Sequence, residues 1–406
     1  MTEMSKTPYL MITELFLPTK GGTAVSFDDD FRRLGGKEIH IVTADVPGAS
    51  EFDRAHPNSV HRLRLERVPW LKPESLPMYI KLLLKSATLA ATNRFQAVFA
   101  GRALPEGLVA WAIARVIRRP LLIYAHGEEL TGWGRGWKFR AMRFVLRRAD
   151  ALLANSDFTG DTLANLLGVD PNRITLTYPT VDENRFHPDL PGQDLRAALG
   201  LRPNDRLILS VGRLMRRKGF DNVIRALPSL LDCGLNVHYA VIGTGEDDNH
   251  LRNLAQETGV SSHVHFLSHV GYDELPRWYS ACDLFAMPNR DVGGDTEGFG
   301  LVFLEAATAG KPALAGTAGG TSAAVVDGVT GLRVNGDDLN EIVRALERLL
   351  RDRAKSKQMG LNGRERVLAN FTHQRRVAQL RLLAARGRFK PSNQCEAQPT
   401  RLPNSD

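Results

Sequence analysis

The sequence predicts an α/β protein built from two doubly wound, Rossmann-like domains, each an open parallel sheet with helices on both faces. Three observations predict it. Short apolar strands alternate with helical stretches through the first half of the chain. The pattern loosens between Asp182 and Asn204, where Pro188, Pro191, Gly192 and Pro203 mark a linker, and the alternation then restarts. At 406 residues the chain is long enough for two cores. The reading divides the chain into residues 1–187 and 188–370, then a terminal helical segment over 371–389. A tail over 390–406 has no periodicity and is expected to be disordered.

In order, Tyr9 to Leu15 reads as a buried strand, Lys20 to Thr23 as a loop, and Ala24 to Leu34 as a helix stopped by Gly35-Gly36. Glu38 to Ala44, Val98 to Ala100, Leu121 to Tyr124 and Leu152 to Ala154 follow as strands, with helices near 76–92, 105–117, 137–149 and 158–167. Ser156 or Asp157 is placed to cap the last of these. In the second half the strands are Leu207 to Gly212, Val237 to Ile242, Val264 to Leu267, Leu284 to Met287 and Pro312 to Ala315. Helices run from Gly219 to about Cys233 and from Leu339 to Leu350, and residues 354 onward read as terminal helices. Such sheets bind ligands outside the carboxyl ends of their strands, so the chemistry is sought there.

The net charge of +8 points to acidic partners. It is concentrated between Arg54 and Arg148, with 18 Lys/Arg against 5 Asp/Glu. Thr131 to Arg148 carries Arg135, Lys138, Arg140, Arg143, Arg147 and Arg148 with no acid, interleaved with Trp133, Trp137, Phe139, Phe144 and Leu146. Trp70, Met78, Tyr79, Ile80, Leu82, Leu83 and Leu84 with Lys72, Lys81 and Lys85 look similar. Basic helices with aromatics suit an anionic membrane surface, and an ordinary packed helix with a charged outer face is the alternative. No nucleic-acid motif is present. Cys233, Cys282 and Cys395 have neither metal spacing nor a pairing logic and fit a reducing cytosol. The first 18 residues lack the pattern of a signal peptide, and no apolar run reaches the length of a membrane span. The expected location is cytoplasmic, peripheral on the inner face of the cytoplasmic membrane. Asp28-Asp29-Asp30 lies inside a helix, where consecutive residues point apart, and is expected to be a solvated face.

The candidate site centres on Glu297-Gly298-Phe299-Gly300-Leu301-Val302-Phe303-Leu304-Glu305. Glu297 falls in a loop and Glu305 in a helix starting near Gly300. The N–H groups of Gly300 and Leu301 are then orphan donors suited to phosphate oxygens. Acids on either side of an anion site suit the hydroxyls of a sugar nucleotide. Arg213 and Lys218 follow another strand end and could neutralise a diphosphate. Gly21-Gly22 after the first strand permits close backbone approach, and His126 follows the strand ending at Tyr124. Gly243-Thr244-Gly245 lacks the third glycine of a dinucleotide fingerprint.

In this order, Gly21-Gly22, His126-Gly127, Ser210-Val211-Gly212-Arg213 with Lys218-Gly219, and Glu297 to Glu305 resemble the retaining glycosyltransferases of family 4, over about residues 8–385. The resemblance implies the GT-B fold, two domains facing a central cleft, with the acceptor on the first and the nucleotide sugar on the second. It implies that Arg213 and Lys218 hold the donor diphosphate, Glu305 the ribose hydroxyls and Glu297 the donor sugar. Phe299, Gly300 and Leu301 would give backbone donors, Gly21 and Gly22 would close on the phosphate, and His126 would sit near the reacting sugar. The loop Ser268 to Gly271, with Val270, would bind the base, and the last helix would cross back onto the first domain. The co-substrate would be a GDP- or UDP-sugar, with no permanently bound cofactor and no metal, because Arg213 and Lys218 supply the charge. Pro179-Thr180-Val181-Asp182 is one residue shorter than the loop the family often has there. Gly101-Arg102-Ala103-Leu104-Pro105-Glu106-Gly107 and the basic aromatic helix are similar to mannosyltransferases acting on membrane lipids, which favours GDP-mannose and a lipid-linked acceptor over a saccharide one. A sugar-nucleotide epimerase of the same architecture and a non-catalytic nucleotide-sugar-binding protein are the competing readings. An NAD-dependent dehydrogenase is disfavoured by the missing fingerprint in both halves.

Overall fold

The computed structural model describes residues 7–19, 21–68, 70–71, 74–127, 130, 136–271 and 273–385. Glu128 and Glu129 beside His126, Lys72, residues 131–135 of the basic stretch with Trp133 and Arg135, and the expected tail all lie outside the described residues.

Thirteen described strands form two parallel sheets. The first holds β1 (Tyr9–Ile12), β2 (His40–Ala44), β3 (Ser59–Leu63), β4 (Ala97–Ala100), β5 (Leu121–Ala125), β6 (Ala151–Ala154) and β7 (Ile174–Leu176), in the order β3-β2-β1-β4-β5-β6-β7. The second holds β8 (Arg206–Val211), β9 (Val237–Ile242), β10 (Val264–Leu267), β11 (Leu284–Met287), β12 (Ala313–Gly316) and β13 (Gly331–Val334), in the order β10-β9-β8-β11-β12-β13. The strand order reverses between β1 and β4 in one sheet and between β8 and β11 in the other, and crevices open at such points. β1 pairs β4 with Ile12 opposite Ala100, and β8 pairs β11 with Ile208 opposite Leu284.

The central strands are buried along their whole length, as a sheet covered by helices on both faces requires. That is why they read as short apolar runs. The sequence reading missed β3, β7 and β13. β3 and β7 are half-buried edge strands with polar residues mixed in, so neither shows an apolar run. The helices Ala49–Ala55, Gln193–Ala198, Asp248–Glu257 and Leu275–Ala281 were also missed; at 6 to 10 residues they are too short for a clear 3.6-residue period. The helix expected over 105–117 begins at Leu108, after a wider turn over Ala103–Gly107.

Leu207 to Leu350 and their neighbours form one continuous core in the second half, and two clusters fill the two faces of the first sheet. Val377, Leu380, Leu383 and Ala384 of the last described helix, His373–Ala385, belong to the first sheet's core, packed on the helix Gly22–Leu34.

The acidic triplet corrects the expectation of a solvated face. Asp30 is 1% exposed, held by the Arg376 guanidinium at 2.7 Å and by the Tyr124 hydroxyl at 3.1 Å. Asp28 is buried against His56 and Arg32, and Asp29 pairs with Arg33. Helical periodicity cannot show that a second helix, hundreds of residues away, covers that face.

Candidate functional site

The helix Leu301–Thr308 follows from its sequence. Gly300 turns the chain at φ +84°, and a Cβ there would strike the Phe303 ring at 2.6 Å. The helix is buried from Phe303 onward except at Glu305, with Leu301 and Val302 of its first turn partly exposed, and Ala309 and Gly310 end it. Gly298 has a different reason. A Cβ on it would lie 2.0 Å from the His126 carbonyl oxygen, so only glycine lets this loop meet the first domain there. Gly22 in turn faces the Leu301 side chain. Gly21-Gly22, His126 and the Glu297–Leu301 loop are therefore brought together across the cleft between the sheets. Val25, Asp29, Arg33, Thr180, Leu301 and Glu305 line its side nearest the linker.

Glu297 is 7% exposed and accepts from the Lys218 ammonium and from the Arg217 guanidinium at 3.0 Å. Burial pushes its carboxyl upward, but the Lys218 and Arg217 cations outweigh this and hold it below the usual range. It is thus an ionised acceptor of hydrogen bonds, not a proton donor at neutral pH. Glu305 is the opposite case. Burial raises it to about 7, against a hydrogen bond from the Tyr279 hydroxyl at 2.6 Å and the more distant Arg185 charge.

Arg217 and Tyr279 are the two side chains at the site that sequence reasoning missed. Arg217 belongs to the run Arg216-Arg217-Lys218, but nothing in a run of cations tells which one folds inward. The short 3₁₀ turn over Arg216–Lys218 buries Arg217 toward Glu297 and Asp295 and leaves Arg216 outside on Asp221. Arg213 is exposed, and among the described residues it makes no ion pair. Glu297 and Asp295 thus pair with the inner cations, while among the described residues no acid pairs with Arg213 at the end of β8.

His126 packs against the mutually contacting Phe27 and Tyr124 rings, with Nε2 3.1 Å from the Gly101 carbonyl, and it is partly exposed. Val270 packs half-buried on the second core beside exposed Ser268 and His269. The side chain of Phe299 points away from the cleft and packs with Tyr178 and Phe371. Gly243 and Gly245 serve packing. A side chain on either would strike the backbone of Gly212 or Leu214, so they seat the loop after β9 against the loop after β8. Ser156 caps the helix Asp157–Asn165 through the Thr159 N–H, as expected.

Comparison with known proteins bears on the same geometry. The family described as Glycosyltransferase Family 4 matches residues 21–185, and that described as Glycosyl transferases group 1 matches residues 192–366. The chain is 33% identical over 387 residues to a Mycobacterium tuberculosis GDP-mannose-dependent alpha-(1-6)-phosphatidylinositol monomannoside mannosyltransferase, covering 91% of this chain and 96% of that one. It is 31% identical over 375 residues to the Corynebacterium glutamicum enzyme named for the monoacylated acceptor, covering 89% and 94%. Among solved structures, Anabaena HepE in complex with UDP superposes with a TM-score of 0.79 at 22% identity, over 93% of this chain and 99% of that one. Sucrose-phosphate synthase from Thermosynechococcus elongatus gives 0.77 at 22%, over 93% and 98%. The two parallel sheets, the cleft between them and these relatives together show that the chain belongs to the family 4 glycosyltransferases of GT-B fold.

Proposed function

We propose that the chain is a retaining mannosyltransferase that moves mannose from GDP-mannose to a lipid-linked acceptor of the phosphatidylinositol mannoside class. The observation that carries this is the loop and helix from Glu297 to Glu305, bracketed by Lys218 and Arg217 and set against Gly21-Gly22 and His126. The activities for which these relatives are named supply the donor and acceptor class. The fold neighbours bound to UDP share too little sequence to decide the base.

In this reading the diphosphate lies between Arg213, Lys218, the N–H groups that open the helix Leu301–Thr308 and the Gly21-Gly22 backbone. Glu305 takes the ribose hydroxyls and the loop at Val270 the base. Glu297, ionised, accepts from the mannose hydroxyls. Phe299 contributes its backbone, its ring packing on Tyr178 and Phe371. His126 borders the reacting sugar from the acceptor's domain. The leaving diphosphate takes the acceptor proton on the face it departs from, so the protein's work is positioning and charge stabilisation. The two cations and the helix start do the charge work without a metal, and transfer is expected to survive a chelator.

The lipid acceptor requires access to a membrane. Trp137 is 55% exposed and Leu84 63%, on two helices of the same domain, and Lys138, Arg140, Arg143, Arg147 and Arg148 are exposed on or just after the helix that Trp137 opens. We place the protein peripherally on the inner leaflet through this face. No helix among the described residues is long and apolar enough to cross a membrane.

The test is a thermal-shift comparison of GDP, UDP and ADP, followed by transfer assays. A ligand that binds the folded state raises the melting temperature by mass action. GDP is expected to give the largest shift, and GDP-mannose to be consumed only with phosphatidylinositol monomannoside, giving an α-linked product. A shift confined to UDP would exclude the donor. Conversion of the sugar nucleotide without an acceptor would favour an epimerase, and binding without turnover a non-catalytic protein.

A further inference from the structure

The turn after β4 contains charged groups that the donor site does not use. Glu106 is fully buried at the carboxyl end of the first sheet's switch point. Its Oε1 accepts from the Glu14 backbone N–H at 2.9 Å and lies 3.5 Å from the Arg102 Nε. The Arg102 guanidinium also donates to the Glu14 carboxylate at 3.1 Å. Glu14 and Arg102 are each about one quarter exposed, side by side, one following β1 and the other following β4. Gly101, next to Arg102, is the residue whose carbonyl holds His126. The pair therefore opens beside the place where the reacting sugar is expected.

Resting on the function proposed above, we infer that Arg102 and Glu14 form the subsite that reads vicinal hydroxyls on the acceptor's polyol ring, with Glu106 as the positioning residue behind them. The chemistry separates this from a phosphate subsite. Each hydroxyl of a diol both donates and accepts, and here a carboxylate acceptor sits beside a guanidinium donor. A phosphate held by Arg102 would meet the Glu14 carboxylate 3.1 Å from that guanidinium, the one cation paired with Glu14 among the described residues, and like charges repel at that range. Glu106 fixes both halves at once, one through its side chain and one through its backbone. The helix Leu76–Thr92 packs against the same turn, and it carries exposed Leu76, Ile80, Leu83 and Leu84, part of the surface proposed to face lipid.

The test uses the full chain, GDP-mannose and phosphatidylinositol monomannoside in detergent micelles, with Arg102→Lys, Glu14→Gln and Glu106→Gln. Arg102→Lys keeps the charge and loses the fork, and is expected to raise the acceptor KM at least about 10-fold, the scale of losing a hydrogen-bonded hydroxyl contact. The donor KM should hold within about twofold. Glu14→Gln distinguishes the two chemistries by sign. A diol subsite binds the acceptor more weakly, whereas a phosphate subsite, relieved of repulsion, binds it more tightly. Glu106→Gln is expected to raise the acceptor KM with kcat held, a split that general loosening of the fold does not give. The first two residues are partly exposed, so their variants keep the test alive if Glu106→Gln does not fold. Transfer with an unchanged acceptor KM in Arg102→Lys, or tighter acceptor binding in Glu14→Gln, overturns the subsite alone. A wild-type protein that transfers nothing to an inositol lipid overturns the function on which the subsite rests, and the subsite with it.

Discussion

At the residue scale the site turns on two carboxylates eight positions apart with opposite electrostatics. Glu297→Gln keeps the shape and removes the charge. It is expected to lower kcat by at least about 10²-fold, the scale of one transition-state contact, while GDP affinity measured by titration stays within a few-fold. Near-normal turnover would remove Glu297 from the reaction. Glu305 gives a pH signature. Its folded pKa of about 7 lies above the ordinary 4.5, so folding favours the protonated form. That contribution is complete below pH 4.5 and is lost as pH rises through 7, at most about 3 kcal/mol for such a shift. Glu305→Gln should therefore gain melting temperature relative to wild type between pH 6 and pH 8.5, and bind GDP less well throughout. A melting difference that is flat across that range would mean that Glu305 titrates normally. The spacing of the two acids and the intervening glycines are legible because they occupy nine contiguous residues. Arg217 and Tyr279 are not, since their partners are 80 and 26 positions away, and only the folded sheet says which neighbour in a cluster turns inward.

At the element scale the helices Leu76–Thr92 and Trp137–Leu146 show where sequence pattern stops being informative. In sequence both read as basic helices with interleaved apolar residues. Met78, Leu82, Met142, Val145 and Leu146 turn out to be core, while Ile80, Leu83, Leu84, Trp137 and Phe144 are exposed. Periodicity sorts residues onto faces, but it does not say how wide the buried face is. The same limit hid the edge strands, whose half-buried residues carry no apolar run. The central strands were legible because both of their faces are covered. Replacing Arg140, Arg147 and Arg148 by Gln tests the surface. Arg143 is left in place because its Nε donates to the Leu167 carbonyl. Each basic residue near an anionic leaflet contributes about 1 kcal/mol, so co-sedimentation with phosphatidylglycerol vesicles at low salt should weaken at least about 10-fold, and neutral vesicles should show no difference. Unchanged binding would make these residues ordinary solvated charges.

At the scale of the whole molecule, the chain crosses between the domains twice, and the crossings are tied together. The Val181 N–H donates to the Phe371 carbonyl at 3.3 Å and the Thr180 hydroxyl meets His373 Nδ1 at 2.7 Å, so the shortened Pro179–Asp182 loop lies against the returning chain. Phe299, from the Glu297–Leu301 loop, packs with Tyr178 and Phe371 of the two crossings. Arg376 secures the return. It is buried, bonds Asp30 through Nε at 2.7 Å, and donates through a terminal nitrogen to the Thr177 and Tyr178 carbonyls. Such a pair gives little net stability over an apolar substitute, yet removing one partner strands the other's charge at a cost of about 3–5 kcal/mol. Arg376→Met is therefore expected to be strongly destabilising in urea titration, with the loss falling on the first domain's transition. Asp30→Leu in the same chain should recover part of it, because the stranded carboxylate is gone, while the two carbonyls still lack their donor and the Tyr124 hydroxyl loses its acceptor. A double variant no more stable than Arg376→Met would show that the carbonyl contacts, not the ion pair, fasten the last helix to the first domain.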